Sequence, residues 1–137
     1  RYAAENDLND AVTFHGLIRF EQTLDAYTEC SALALTSRQE SSPRVILEAS
    51  AAGKPSVSVQ VGSVGDMIED GVSGFIVPQD DIPALADRLV RLLTDDDLRR
   101  RMGAAARQRV EARFRLSKVV AQYMDVYREA SLSGGKR

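Results

Sequence analysis

Glu40-Ser41-Ser42-Pro43-Arg44-Val45-Ile46-Leu47-Glu48, running on through Ala49-Ser50-Ala51-Ala52 to Gly53-Lys54-Pro55, is the stretch on which the fold turns. Ser42 carries the short hydroxyl side chain that accepts from N–H groups of a first helical turn. Pro43 suits the first helical position, where its missing N–H has no intrahelical partner to lose. Together they predict a loop feeding a helix capped by Ser42. Gly53 fits the left-handed residue that follows a helix, and Pro55 stops any continuation. A helix start aims unpaired N–H groups and the positive end of its dipole forward, which makes it a natural seat for a phosphate. Glu40 precedes that start and Glu48 sits in the second turn, so two carboxylates flank the anion site.

Upstream, Ser31-Ala32-Leu33-Ala34-Leu35-Thr36 is a continuous apolar run of the kind expected of a parallel strand covered on both faces, and its carboxyl end delivers the Glu40 loop. Glu21 to Glu29, with Leu24 and Tyr27 apolar among polar neighbours, reads as a short helix. Ala11-Val12-Thr13-Phe14-His15 is β-prone and stops at Gly16, so it reads as a short strand ending in a tight loop. Residues 1–10 read as a frayed helix end and a polar turn. Downstream, Ser56 to Val59 is the next strand. Val61 to Asp66 is a small-residue loop leading to a short helix, Met67-Ile68-Glu69, and Phe75-Ile76-Val77 is the last strand, ended by Pro78. Asp81 caps a helix carrying Leu85, Leu89, Leu92 and Leu93. Thr94 caps a second, with Asp95 to Asp97 in its first turn, and a third carries Val119, Val120, Tyr123, Met124 and Tyr127. Residues 1–132 then form one partial domain, and the tail 133–137 reads as disordered.

Alternating strands and helices joined by short loops predict an α/β fold, a Rossmann-like open parallel sheet with a helical C-terminal extension. Ligands of such sheets bind outside the carboxyl ends of the strands, where Gly16 to Ile18, Ser37 to Ser42 and Gly62 to Gly65 would converge on one crevice.

Composition narrows the function classes. With 137 residues, 44% hydrophobic and 28% charged, the chain matches one globular domain. A net charge of -2, with the arginines from Arg99 to Arg115 interleaved with acids and apolar residues, argues against a nucleic-acid surface. A lone cysteine, Cys30, excludes an internal disulfide or a cysteine metal cluster and makes a reducing cytoplasm the default. No apolar run approaches membrane-spanning length. The first residue is Arg1 rather than Met, which leaves open a fragment, a processed chain or a split subunit.

The carboxylate spacing is uninformative alone. Eight glutamates over this length produce a pair at the same spacing by chance on the order of half the time, and Glu21 and Glu29 are such a pair, read as solvated surface. Glu40 and Glu48 differ because a strand precedes them, a capped helix lies between them and a helix-ending Gly-x-Pro follows. With Val12-Thr13-Phe14-His15-Gly16, Ile68-Glu69-Asp70-Gly71-Val72-Ser73-Gly74-Phe75-Ile76-Val77-Pro78 and Leu98 through Phe114 in order, the chain resembles the second half of the C-terminal, donor-binding domain of retaining glycosyltransferases of GT-B fold. That is the group 1, or family 4, type with a Glu-x7-Glu motif, and the resemblance covers about residues 8–130.

The resemblance implies that Glu40 binds hydroxyls of the transferred sugar and is the catalytic-site glutamate. It implies that Glu48 binds the ribose diol of a nucleotide-diphosphate sugar, a task suited to a carboxylate, which accepts short charge-assisted bonds from two vicinal hydroxyls. Backbone groups of Ser41, Ser42, Pro43, Arg44 and Val45 would hold the diphosphate or sugar, Gly16 and Leu17 would line the base pocket, and Gly62 belongs to the facing loop. No metal and no cofactor beyond the donor are implied. Ser41 stands where the family usually has glycine, so its Cβ either obstructs the donor, forces a positive φ at about 1–2 kcal/mol, or brings a hydroxyl to the ligand. Ser63 replaces the second glycine of a pair, Gly65 stands where proline is common, and Asp66 shortens the usual glutamate. Ser31 and Thr36 replace an aspartate and a proline. The family's phosphate-neutralising Arg and Lys, its acceptor domain and two strands between those at Val12 and Ala32 are absent from these residues. The partners implied are thus a nucleotide sugar and an N-terminal domain or second chain completing the sheet, a homo-oligomer included. A non-catalytic interaction module of the same ancestry is the alternative. His15 reads as structural or loop-facing, Cys30 as a small core residue, Tyr123 and Tyr127 as packing, with the last helix exposing an unsatisfied apolar face. Arg99-Arg100-Arg101 reads as a solvated face that could also meet lipid headgroups.

Overall fold

The computed structural model describes the backbone of residues 1–134 and the side chains of residues 1–132. Its elements are α1 (Tyr2–Glu5), α2 (Phe20–Glu29), β1 (Leu33–Leu35), α3 (Arg44–Ala51), β2 (Ser56–Val59), α4 (Val64–Met67), β3 (Gly74–Val77), α5 (Ile82–Thr94), α6 (Asp96–Arg113) and α7 (Leu116–Gly134). The three strands form one parallel sheet in the order β1-β2-β3, so their carboxyl ends lie together at one end of the sheet. This is the open α/β arrangement that the alternating pattern predicts.

Neighbours in register share a sheet face. Leu33, Ser56 and Gly74 therefore line one side, and Ala34, Val57 and Phe75 the other. At Gly74 the first side has no room for a larger residue, because backbone comes close there. A Cβ on Gly74 would lie 2.4 Å from the Ser56 carbonyl oxygen and 3.2 Å from Cγ2 of Ile68. One apolar cluster gathers Leu35, Ile46, Val59, Val64, Met67 and Val77, tying α3 and α4 to the sheet. A second joins Val57 and Phe75 to Leu92 of α5 and Met102 of α6. The guanidinium groups of Arg88 and Arg91 lie over the Phe75 ring at 5.2 and 5.3 Å, covering its outer side with cationic charge that the ring's π face attracts.

Helix α6 braces the whole from behind. Gly103 is buried against the loop after α3, where an added Cβ would lie 2.1 Å from the Gly53 carbonyl oxygen. Farther along, Arg109 donates to Oε2 of Glu69 at 3.1 Å and to the Asp66 carbonyl at 3.1 Å, fastening α4 and the residues after it. The run Arg99 to Arg101 divides. Arg100 and Arg101 are exposed, whereas half-buried Arg99 donates to the Leu92 carbonyl at 2.9 Å and pairs with Asp96 at 2.8 Å, stitching α5 to α6.

Several expectations are corrected. Ala11 to His15 is not a strand; Ala11 and Val12 N–H groups both donate to the Leu8 carbonyl at 3.0 Å in a turn, and Phe14 is 80% exposed. β-Propensity describes fit to a pleated surface, and among the described residues no neighbouring strand supplies that surface. The strand expected over Ser31 to Thr36 shortens to Leu33–Leu35 and leaves Ala34 exposed, as an edge position rather than one covered on both faces. α3 begins at Arg44: Pro43 is extended (φ -73, ψ 96), and its carbonyl takes the first helical N–H, from Ile46 at 3.1 Å, so Ser42 does not cap. α4 starts at Val64, three residues before the expected Met67, because the turn at Gly62 lets Ser63 accept from the Asp66 N–H at 3.0 Å. Asp95, not Thr94, caps α6, accepting from the Leu98 N–H at 2.8 Å; the Thr94 hydroxyl instead donates back to the Val90 carbonyl at 2.8 Å and ends α5.

Asp81 caps α5 as expected, accepting from the Ala84 N–H at 3.0 Å. Cys30 is half-buried at the end of α2, where burial pushes its thiol up from its ordinary range, rather than fully in the core. α7 runs through Gly134, so Ser133 and Gly134 continue a helix where a disordered tail was expected, and residues 135–137 lie outside the described residues. Tyr123 and Tyr127, read as packing, are 62% and 65% exposed, on a helix that shows its apolar residues to solvent.

Gly103→Ala separates packing from propensity. Alanine in a helix gains about 1 kcal/mol over glycine, whereas a 2.1 Å approach to backbone forces α6 off α3. Net destabilisation of about 2 kcal/mol or more is expected from denaturant unfolding; a variant as stable as the parent would show that this contact yields.

Candidate functional site

The carboxyl ends of β1 and β2 each feed a loop, and the two loops meet. The Ser41 carbonyl accepts from both the N–H and the hydroxyl of Ser63, each at 3.0 Å. Between them Gly62 turns with φ +48, and a Cβ on it would lie 2.3 Å from the Glu40 carbonyl oxygen and 2.6 Å from that of Ser41. Only glycine meets both demands. Ser63, in the position that departs from a glycine pair, is thus part of the closure. Ser41 needs no left-handed conformation, since the positive-φ residues other than glycine among the described residues are Asp7 and Asp80. Its hydroxyl stands exposed at the loop surface.

Closure of the loops presents the start of α3. Glu40 is half-buried before it, Ser41, Ser42 and Arg44 are exposed, Val45 is half-buried, and Pro43 and Ile46 are buried beneath. No side chain caps this eight-residue helix, which leaves its first N–H groups to another acceptor, the arrangement that suits an anion. Glu48, one turn along, is fixed from two sides. Tyr27 of α2 donates to its Oε2 at 3.0 Å, and Arg44 to its Oε1 at 3.4 Å. Tyr27 is the buried residue of α2, and burial first, then the hydrogen bond to Glu48 and the carboxylate charge, push its phenol up to about 12.

The third expected loop does not join them. Leu17 is 102% exposed and a Cβ on Gly16 would meet nothing within 4 Å, so no other part of the described chain packs over either residue. Ser42 also lines a cavity of about 690 Å³ with Asp66, Phe114, Lys118 and Tyr123, which opens beside α7 and is lined by neither Glu40 nor Glu48. The site is therefore a wall: Glu40, the α3 start, Gly62 and Ser63 stand together, Glu48 is held alongside by Tyr27, and Gly16 and Leu17 stand apart. Glu21 and Glu29 are both exposed, in keeping with their reading as surface. Tyr27 and Ser63 are the contributors that spacing did not mark. Each reaches its partner across more than twenty residues of chain, 21 for Tyr27 to Glu48 and 22 for Ser63 to Ser41.

The family model described as "Glycosyl transferases group 1" matches residues 1–109. The N-acetyl-alpha-D-glucosaminyl L-malate synthase of Bacillus anthracis is 33% identical over 120 residues, which is 88% of this chain and 31% of that protein. Among solved structures, sucrose-phosphate synthase from Thermosynechococcus elongatus superposes with a TM-score of 0.87 at 30% identity, covering 96% of this chain and 33% of that one. Anabaena Alr3699/HepE in complex with UDP superposes with a TM-score of 0.84 at 25% identity, covering 93% of this chain and 35% of that one. The chain thus spans about a third of the length of the curated relatives it matches. Among the described residues no helix is long and apolar enough to cross a membrane.

Two measurements check this geometry. Gly62→Ala should lose about 2 kcal/mol or more from strain at positive φ and collision with two carbonyls; unchanged thermal stability would contradict the loop contact. Tyr27, whose ordinary value is 10.0, is raised to about 12, so the stability its protonated hydroxyl contributes is complete below pH 10 and is lost as pH rises through about 12. An ultraviolet titration of tyrosinate should show a late phase near that pH which Tyr27→Phe removes; its absence from the parent would mean the phenol is not held.

Proposed function

The chain belongs to the glycosyl transferases group 1 family, and from that membership we propose that residues 1–132 form part of the nucleotide-diphosphate-sugar-binding domain of a retaining glycosyltransferase. Glu40 binds hydroxyls of the transferred sugar and Glu48 the ribose diol. The backbone from Ser41 to Val45 holds the diphosphate, and Gly62 keeps the facing loop close. The observation that carries this reading is the loop closure over the start of α3, with one carboxylate on each side of an anion-favouring helix end. A nucleoside diphosphate bears its negative charge where those N–H groups point, and its ribose and sugar offer hydroxyls to either side.

In retaining transfer the bond from sugar to phosphate breaks while the acceptor attacks from the same face, so the protein's main task is to stabilise charge gathering on the leaving phosphate. The α3 start supplies part of that. Cationic side chains for the diphosphate and an acceptor site would come from the remaining two-thirds of a protein of the relatives' length, or from another chain. Gly16 and Leu17, which line the base pocket in this reading, stand exposed and would gain their neighbours there. The reading includes a cytoplasmic location, where nucleotide sugars are made and a single cysteine needs no partner.

A second reading is favoured by the exposure of Phe14, Leu17 and Phe20 together with the apolar residues of α7: a non-catalytic module of the same ancestry that completes a partner chain. Calorimetric titration with UDP-, GDP- and ADP-sugars separates the two. Saturable binding of one of them, weakened at least about tenfold by Glu48→Ala, is expected. Absence of binding to all three would discard the donor site in this chain and leave the interaction module.

A further inference from the structure

Each oxygen of an ionised carboxylate offers two acceptor positions. On Glu48, one position of Oε2 is taken by the Tyr27 hydroxyl at 3.0 Å and one of Oε1 by Arg44 at 3.4 Å, leaving one on each oxygen. That pattern matches two neighbouring hydroxyls. The two donors are unequal. Arg44 is on the surface, with 82% of its side chain exposed, and its bond is long; it competes with water and is easily displaced. Tyr27 is only 8% exposed and its bond to Glu48, at 3.0 Å, is part-buried and shorter than that of Arg44, so it meets less competition from water.

We infer that Tyr27 is a positioning residue: its buried hydroxyl fixes the rotation of the Glu48 carboxylate so that both remaining acceptor positions face a vicinal diol, which makes the site selective for ribonucleotide over deoxyribonucleotide donors. The inference rests on the reading of Glu48 as the ribose-binding residue. Without the phenol, the remaining partner of Glu48 is Arg44 on the solvent side, and the carboxylate turns toward it. The alternative is that Tyr27 serves only as the apolar anchor of α2 on α3. Tyr27→Phe distinguishes them, because it keeps the ring and removes the donor.

The test uses calorimetry on the parent chain, Tyr27→Phe and Glu48→Ala, with the nucleotide that the parent binds and with its 2′,3′-dideoxy counterpart. Tyr27→Phe should weaken the ribonucleotide about tenfold and leave the dideoxy compound unchanged, so that the preference for ribose collapses. Equal weakening of both compounds would mean that the residue only anchors α2, and an unaltered ribonucleotide affinity would mean that the hydroxyl does nothing for binding; either overturns the inference. Binding by the parent that Glu48→Ala does not weaken, or no binding by the parent at all, removes the donor reading and this inference with it. Binding that Glu48→Ala weakens and Tyr27→Phe leaves intact removes this inference alone.

Discussion

The Ser41 carbonyl accepts two hydrogen bonds from one residue, Ser63, and the glycine beside Ser63 leaves no room for a side chain between the loops. Loops after successive parallel strands have no intrinsic reason to touch, and an open pair would leave the start of α3 loose. Joined, they form a fixed rim at the carboxyl end of the sheet. The helix start, Glu40 and Glu48 take their relative positions from that rim. Ser63 contributes a hydroxyl to the closure, and Ser41 sits in ordinary backbone with its carbonyl as the acceptor.

Behind the rim, the fold maintains α3 by close backbone approach rather than by large side chains. Gly103 lets α6 lie against the Gly53 carbonyl, and Gly74 with Ser56 keeps one sheet face shallow. Arg109 fastens the segment around α4 that carries the second loop. The residues at the sheet's end therefore rest on a packed interior, while the surfaces at the N-terminal segment and α7 expose apolar side chains.

Punctuation made much of this legible in advance. Gly53-Lys54-Pro55 ends α3, Asp81 caps α5, and the all-buried Ser56 to Val59 is the strand expected there. Most of the failures depended on a partner remote in sequence, whereas the caps expected at Ser42 and Thr94 failed to an adjacent residue. Val12, Thr13 and Phe14 have β-propensity without a neighbouring strand. Ser42 is a good cap residue overruled by the extended backbone of Pro43. Tyr27 looked like one apolar position on an amphipathic helix, because nothing local tells a ring that only packs from one whose hydroxyl meets a carboxylate on another helix. Ser63 looked like a departure from a pattern, and its acceptor lies in a different loop. Gly16 and Leu17 were expected to join the other two loops, and within the described chain they stand apart, with nothing packed over either.

In the proposed function, a nucleoside diphosphate binds at the joined loops and the start of α3. Amide NMR of the chain during titration with UDP, GDP and ADP tests it most directly. Saturable shifts with one of the three are expected on the amides of Ser41, Arg44, Val45 and Ile46 and on Gly62 and Ser63, with little change along α5. Shifts confined to α5 and α6, or none with any of the three at saturating concentration, would contradict it.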